Sequence, residues 1–173
     1  MPPVIVVIFG LLVVGVIIVT VRARRSPVQQ IEHEYFDRLW ILPPGSYARW
    51  EAELDNSIAG IDGKVGFHSE VRQEADEAEG PTEKETAFCK DWMSRLDDLF
   101  MLTKPAIEEA WKDWVNSEMP ADWRDVLSLD GISVPAEGDF LNPWGVTYFC
   151  KPAGHYFSIE ISEGKAVLES VDG

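Results

Sequence analysis

Trp144 to Gly173 reads WGVTYFCKPAGHYFSIEISEGKAVLESVDG, and its alternation decides the architecture. Trp144–Lys151, His155–Ser162 and Lys165–Val171 each place apolar and polar side chains in turn, the period of a strand with one buried face. Pro152-Ala153-Gly154 and Glu163-Gly164 separate them. Such short connections join antiparallel neighbours, because a parallel return needs a dozen residues or more. A three-stranded antiparallel meander is therefore expected at the C-terminal end, with GISVP (Gly131–Pro135) as a further extended piece.

Upstream of the meander the period lengthens. Phe88, Trp92, Leu96, Leu99 and Phe100 recur at three- and four-residue steps, with Lys90, Asp91, Asp97 and Asp98 between them. This is an amphipathic helix, and Thr82 followed by Glu85 fits a capping box at its start. Lys104-Pro105 is expected to interrupt it, with Pro105 opening a second helix that buries Ile107, Ala110, Trp111, Trp114 and Val115. Trp92, Trp111 and Trp114 read as core, whereas Trp123 and Trp144 are less constrained and read as exposed anchors.

Further back, Tyr47 to Leu54 alternates Ala48, Trp50, Ala52 and Leu54 against Tyr47, Arg49, Glu51 and Glu53, a strand. Lys64 to Val71 is its expected partner, with Val65, Phe67, Ser69 and Val71 on one side and an Asp62-Gly63 hairpin signal before it. Ile31 to Leu42 is expected to be a short helix ending before Pro43-Pro44-Gly45. Gln73 to Lys84 reads as a solvated acidic loop.

Val4 to Val21 reads VIVVIFGLLVVGVIIVTV, without a charge. At 1.5 Å per residue its 18 residues span about 27 Å, close to the hydrocarbon thickness of a bilayer. It predicts one uncleaved transmembrane helix in contact with lipid. Arg22, Arg24 and Arg25 follow it and nothing basic precedes it, which predicts an outer N-terminus and a cytoplasmic domain. The expected architecture is thus α+β: a single transmembrane helix, then one domain with an antiparallel sheet packed on a two-helix layer. The expected division is anchor and basic flank over 1–25, linker and short helix over 26–46, and an acidic domain over 47–173.

The chain has 30 acidic and 15 basic residues, a formal net charge of -15. Three of the basic residues sit in the flank, so the remainder is more acidic still. Such a field repels nucleic acid and attracts basic partners. Chemistry-bearing patterns are sparse. There is no G-x-S-x-G elbow and no phosphate-cradling glycine motif. Cys150 and His155 flank a turn, but a thiol in an apolar strand reads as core. His33, His68 and His155 belong to no metal-ligand spacing, and Glu74, Asp76, Glu77 and Glu79 lack the order of a calcium loop. No cofactor and no small-molecule substrate is expected.

Two helices, then Trp123, LDGISVP (Leu129–Pro135), a strand containing Gly154-His155-Tyr156-Phe157, and a closing Val171-Asp172-Gly173 resemble small bacterial α+β domains of unknown function. Some of these occur among polymorphic-toxin immunity proteins. The anchor and the acidic charge point to a membrane-anchored, non-enzymatic protein-binding domain, and the resemblance implies that it is a toxin-neutralising immunity protein. A basic partner would meet the acidic loop Glu74, Asp76, Glu77 and Glu79 and the helical edge Asp97, Asp98, Glu108, Glu109 and Asp113. The alternatives are an accessory subunit of a membrane complex, whose Gly10 and Gly15 are not spaced as G-x-x-x-G, and a membrane-anchored hydrolase using carboxylates or Cys150.

Overall fold

A computed structural model describes residues 27–43, 45–56, 63–70 and 80–173. Among the described residues eight strands form one sheet whose spatial order is the chain order: β1 Gln29–Ile31, β2 Arg38–Ile41, β3 Trp50–Asn56, β4 Gly63–Ser69, β5 Leu127–Val134, β6 Trp144–Cys150, β7 His155–Ser162 and β8 Lys165–Asp172. Every neighbouring pair is antiparallel except β4 and β5, which run parallel. Between those two strands the described residues form two α-helices, α1 Glu83–Ser94 and α2 Leu96–Trp114. A parallel pair cannot be closed by a tight turn, and this crossover supplies the length.

The C-terminal meander is as its alternation predicts. Trp144, Val146, Tyr148 and Cys150 are buried along β6, and Phe157, Ile159 and Ile161 along β7. Glu163 and Gly164 both have positive φ, 52° and 71°, the conformation of a two-residue turn whose twist matches the strands. In β3 and β4 the expected inward residues Trp50, Ala52, Val65, Phe67 and Ser69 are buried. The expected inward Val71 and the hairpin signal at Asp62 lie outside the described residues, as does most of the acidic loop.

One expectation fails at Ile31–Leu42, which forms β1, a turn and β2 rather than a helix. His33 Nδ1 accepts from the backbone N–H of Tyr35 at 3.1 Å and closes the turn. Leu39 and Ile41 then alternate inward against Arg38 and Trp40, so sheet pairing with β3 overrides the local helical spacing.

The helices form one face of the core. Thr82 caps α1: its Oγ1 accepts from Glu85 N–H at 3.1 Å, and the Glu85 carboxylate accepts from Thr82 N–H at 2.9 Å. The break between the helices falls at Arg95 (φ -132°, ψ 49°), not at Pro105, which lies inside α2. Proline removes the bond to the carbonyl four residues back, here Met101. Met101 and Pro105 both face solvent, so water can take that carbonyl and the helix continues. Leu99, Ile107 and Ala110 are fully buried, and α2 packs on β7 and β8 while α1 packs on β5. In the core between them the hydroxyl of buried Thr103 meets the Tyr148 phenol at 3.2 Å.

The expected architecture is corrected on two counts. The sheet is mixed, because β4 and β5 pair through a crossover. No helix among the described residues is long and apolar enough to cross a membrane. The longest, α2, has 19 residues but carries Asp97, Asp98, Lys104, Glu108, Glu109, Lys112 and Asp113. Val4 to Val21 and the arginines after it lie outside the described residues. The single-pass location with a cytoplasmic domain therefore rests on no described element and is set aside.

Candidate protein-binding groove

Short-range geometry builds a groove beside α1. After β5 the chain turns through Ala136–Gly138, and Gly138 (φ +63°) lets this turn lie directly on the first turn of α1. The segment that follows is held by its own hydrogen bonds. Asn142 N–H donates to the Asp139 carbonyl at 2.9 Å, Leu141 N–H to the Asp139 carboxylate at 3.0 Å, and Asn142 Nδ2 to the Ala136 carbonyl at 3.1 Å. Locked in this way, the segment presents Phe140 and Leu141 to solvent, 61% and 62% exposed.

Between that segment and α1 lies a groove of about 780 Å³, with Ala87, Phe88 and Trp92 on one wall and Glu137 to Phe140 on the other. Trp144 sits behind it, 5.0 Å from Phe88 and 5.3 Å from Trp92 between ring centroids. Trp144 is 2% exposed, so it is no surface anchor, and its Nε1 has no acceptor among the described residues. Lys84, Asp91, Arg95 and Asp139 rim the opening. Arg95 lies over the Trp92 ring at 4.9 Å and pairs with Asp91 and Asp98. Its charge is thus spent within the protein, and Asp139 remains without an ion pair among the described residues.

The expected acidic contacts divide three ways. Glu74, Asp76, Glu77 and Glu79 lie outside the described residues. Asp97 is committed internally: it accepts from Trp123 Nε1 at 3.1 Å and pairs with Arg124 at 2.8 Å. Those hydrogen bonds from Arg124 and Trp123 hold its carboxyl below the usual aspartate range. Asp98 leans toward Arg95 at 3.6 Å, and Glu108 toward Lys104 at 3.6 Å. Glu109 and Asp113 are exposed on α2 and have no ion pair among the described residues. The tryptophan expectations are also revised. Trp123 is 4% exposed and stacked on Phe100 at 5.2 Å, whereas Trp114 is half exposed with its ring against His155.

Nucleophilic chemistry finds little support. Cys89 and Cys150 are free and fully buried, and burial pushes both thiols up, away from the thiolate. Among the described residues no group of three or more His, Cys, Asp or Glu side chains is placed to hold a metal.

Two histidines are expected to make stability pH-dependent. Burial lowers the pKa of His33, opposed by Glu34 and assisted by Lys90, and lowers that of His68, opposed by Glu70 and Glu51. On acidification the unfolded chain takes the proton first. Their contribution is therefore complete above about pH 6.5 and is lost as pH falls toward the folded values. The urea midpoint is expected to drop between about pH 7.5 and about pH 5.5. His68→Gln should flatten that dependence; an unchanged slope would remove His68 from the account.

Sequence reasoning passes over Phe140 and Leu141. The signal is present: two large apolar residues in EGDFLNP, a turn-rich run with no strand or helix period to bury them. No family model, no curated protein and no solved structure matches the chain.

Proposed function

We propose that this chain is a non-enzymatic protein-binding domain that recognises a basic partner, and that it acts as a toxin-neutralising immunity protein. The observation that carries the reading is the pair Phe140 and Leu141, held out on a hydrogen-bonded turn above an aromatic-walled groove. Exposed aromatic side chains on a rigid support, ringed by charge, are how binding energy concentrates at protein interfaces. A net charge of -15 steers a basic protein to that surface and raises its association rate. Glu109 and Asp113 extend the acidic surface along α2. Nuclease-type toxins are basic because they bind polyanions, and the C-terminal pattern resembles domains found among immunity proteins. Two fully buried thiols favour this reading over a hydrolase.

Capture with the described domain, followed by a binding titration of the recovered protein, tests it. The partner should be basic, its affinity should fall with salt, and co-expression should relieve its toxicity. Phe140→Ala should weaken binding by about 2 kcal/mol, roughly 30-fold, with Leu141→Ala close behind. Binding indifferent to both salt and Phe140 would defeat the proposal.

A further inference from the structure

The sheet face opposite the helices carries a second feature. Its residues form straight rows across the strands. One row runs Trp40, Glu51, His68, Ser133; the next runs Arg38, Glu53, Gly66, Gly131, Thr147. Gly66 and Gly131 are neighbours across the parallel pair, so two adjacent positions on this face have no side chain. The result is a cavity of about 290 Å³ floored by peptide backbone, with Trp40, Glu51, His68 and Asp130 among its walls.

Nothing in the fold requires glycine at these positions. Neither has positive φ. A Cβ on Gly66 would meet its nearest atom, the Asp130 carbonyl oxygen, at 3.6 Å, and one on Gly131 the Gly66 carbonyl oxygen at 3.4 Å. Both are ordinary contacts. Glycine inside a strand is unfavourable relative to alanine; the adjoining bulge is one reason for it at Gly131, but the register is unbroken at Gly66, where close approach of another group is the remaining reason.

The walls say which group. Glu53 is neutralised by Arg38 at 3.4 Å and Lys64 at 3.0 Å. Glu51 and Asp130 have no ion pair among the described residues. Asp130 is the extra residue of a bulge between Leu129 and Gly131, a device that re-aims a side chain. Asp130 stays exposed at the mouth of the cavity, where partial burial raises its pKa. The Trp40 indole adds a π face beside them. A flat floor, two separated acceptors and an aromatic wall suit a planar donor fork better than a spherical ammonium.

We infer that the cavity between Trp40, Glu51, Asp130 and the Gly66–Gly131 floor binds a guanidinium group. It lies on the other face of the sheet from the Phe140 groove and does not depend on the function proposed for that groove. The group arrives either on an arginine side chain or as a small guanidino compound.

The test uses the full chain, with N-ethylguanidinium, N-ethylammonium and N-ethylurea as probes at constant ionic strength, and a matched pair of arginine- and lysine-containing peptides. N-ethylguanidinium is expected to saturate and to shift the Gly66 and Gly131 amide and Trp40 indole resonances. Gly66→Ala fills the floor and should keep or raise the urea midpoint while lowering affinity at least about tenfold. Trp40→Ala should lose about tenfold, whereas Phe140→Ala, on the other face of the sheet, should weaken partner binding only and leave N-ethylguanidinium affinity at the parent value. Tighter binding of the arginine peptide than of the free probe assigns a protein-borne arginine, and the reverse assigns a small compound. No saturation by either guanidinium source, equal binding of the ammonium or urea probe, or full affinity in Gly66→Ala would overturn the inference.

Discussion

Glu85→Ala is expected to lower the stability of the domain by about 4 kcal/mol, a large part of the roughly 5–15 kcal/mol typical of a folded domain. The Glu85 side chain is fully buried and its two oxygens serve three donors: Arg49, Thr82 N–H and Trp50 Nε1. Arg49 is itself only 19% exposed at the side chain. Removing the carboxylate leaves a desolvated guanidinium without a counter-charge, which is far costlier than losing a surface pair. The Thr82 N–H and the Trp50 indole N–H lose their acceptor in the same step. Glu85→Gln keeps the reciprocal cap, since glutamine serves in a capping box, and should cost less. Arg49→Met combined with Glu85→Leu should recover part of the loss, because an apolar pair of similar volume often replaces a buried ion pair at little cost. Urea unfolding of the parent, Arg49→Met, Glu85→Leu and the double variant gives the coupling energy. A cost for Glu85→Ala near the roughly 1 kcal/mol of an ordinary cap would show that the ion pair contributes nothing.

That interaction also marks where sequence reasoning stops. The Thr82–Glu85 box is three residues wide and is legible from residue types and spacing. That the same carboxylate receives Arg49, 36 positions away, depends on which strand lies under α1. Strands β6, β7 and β8 are legible for the same reason as the box. Their turns are two to four residues long, so each partner is the next strand. The β4–β5 pairing joins segments separated by two helices, and only the assembled sheet selects a parallel partner. At Ile31–Leu42, four strand residues beside Tyr35 and Phe36 mimic helical spacing, and pairing with β3 decides. The local rule for Pro105 holds only if the carbonyl of Met101 is buried. The tryptophans show the same limit. Trp114 shares the helical stripe of Trp111 but ends α2 at the rim of the sheet, where its ring meets His155 and stays half open to solvent. Of the candidate site, the acidic edge of α2 is visible as composition. Asp97 cannot be told from Glu109 without Trp123 and Arg124. The groove wall Phe140 and the paired glycines Gly66 and Gly131 come together only through the crossover.

Gly138→Ala should cost about 3 kcal/mol, from two separable causes. At φ +63° any L side chain incurs the strain of the left-handed conformation, roughly 1–2 kcal/mol. A Cβ there would also lie 2.4 Å from the Lys84 carbonyl oxygen and 2.9 Å from the Glu85 nitrogen. Both are helix backbone and cannot swing aside, so the turn and α1 must separate at an overpacking cost of about 1–3 kcal/mol. Gly154 is the internal control. Its φ is +69° and a Cβ added there would meet nothing within 4 Å, so Gly154→Ala should carry the conformational part alone. The difference between the two urea midpoints isolates the close approach of the turn to α1. Equal losses would mean that the turn relaxes freely and that its contact with the helix holds nothing in place. Separation of the turn also moves Phe140 and Leu141 away from Phe88 and Trp92. Gly138→Ala should therefore weaken partner binding even under conditions where it remains folded, whereas Gly154→Ala, whose hairpin turn lines no part of the groove, should bind as the parent does.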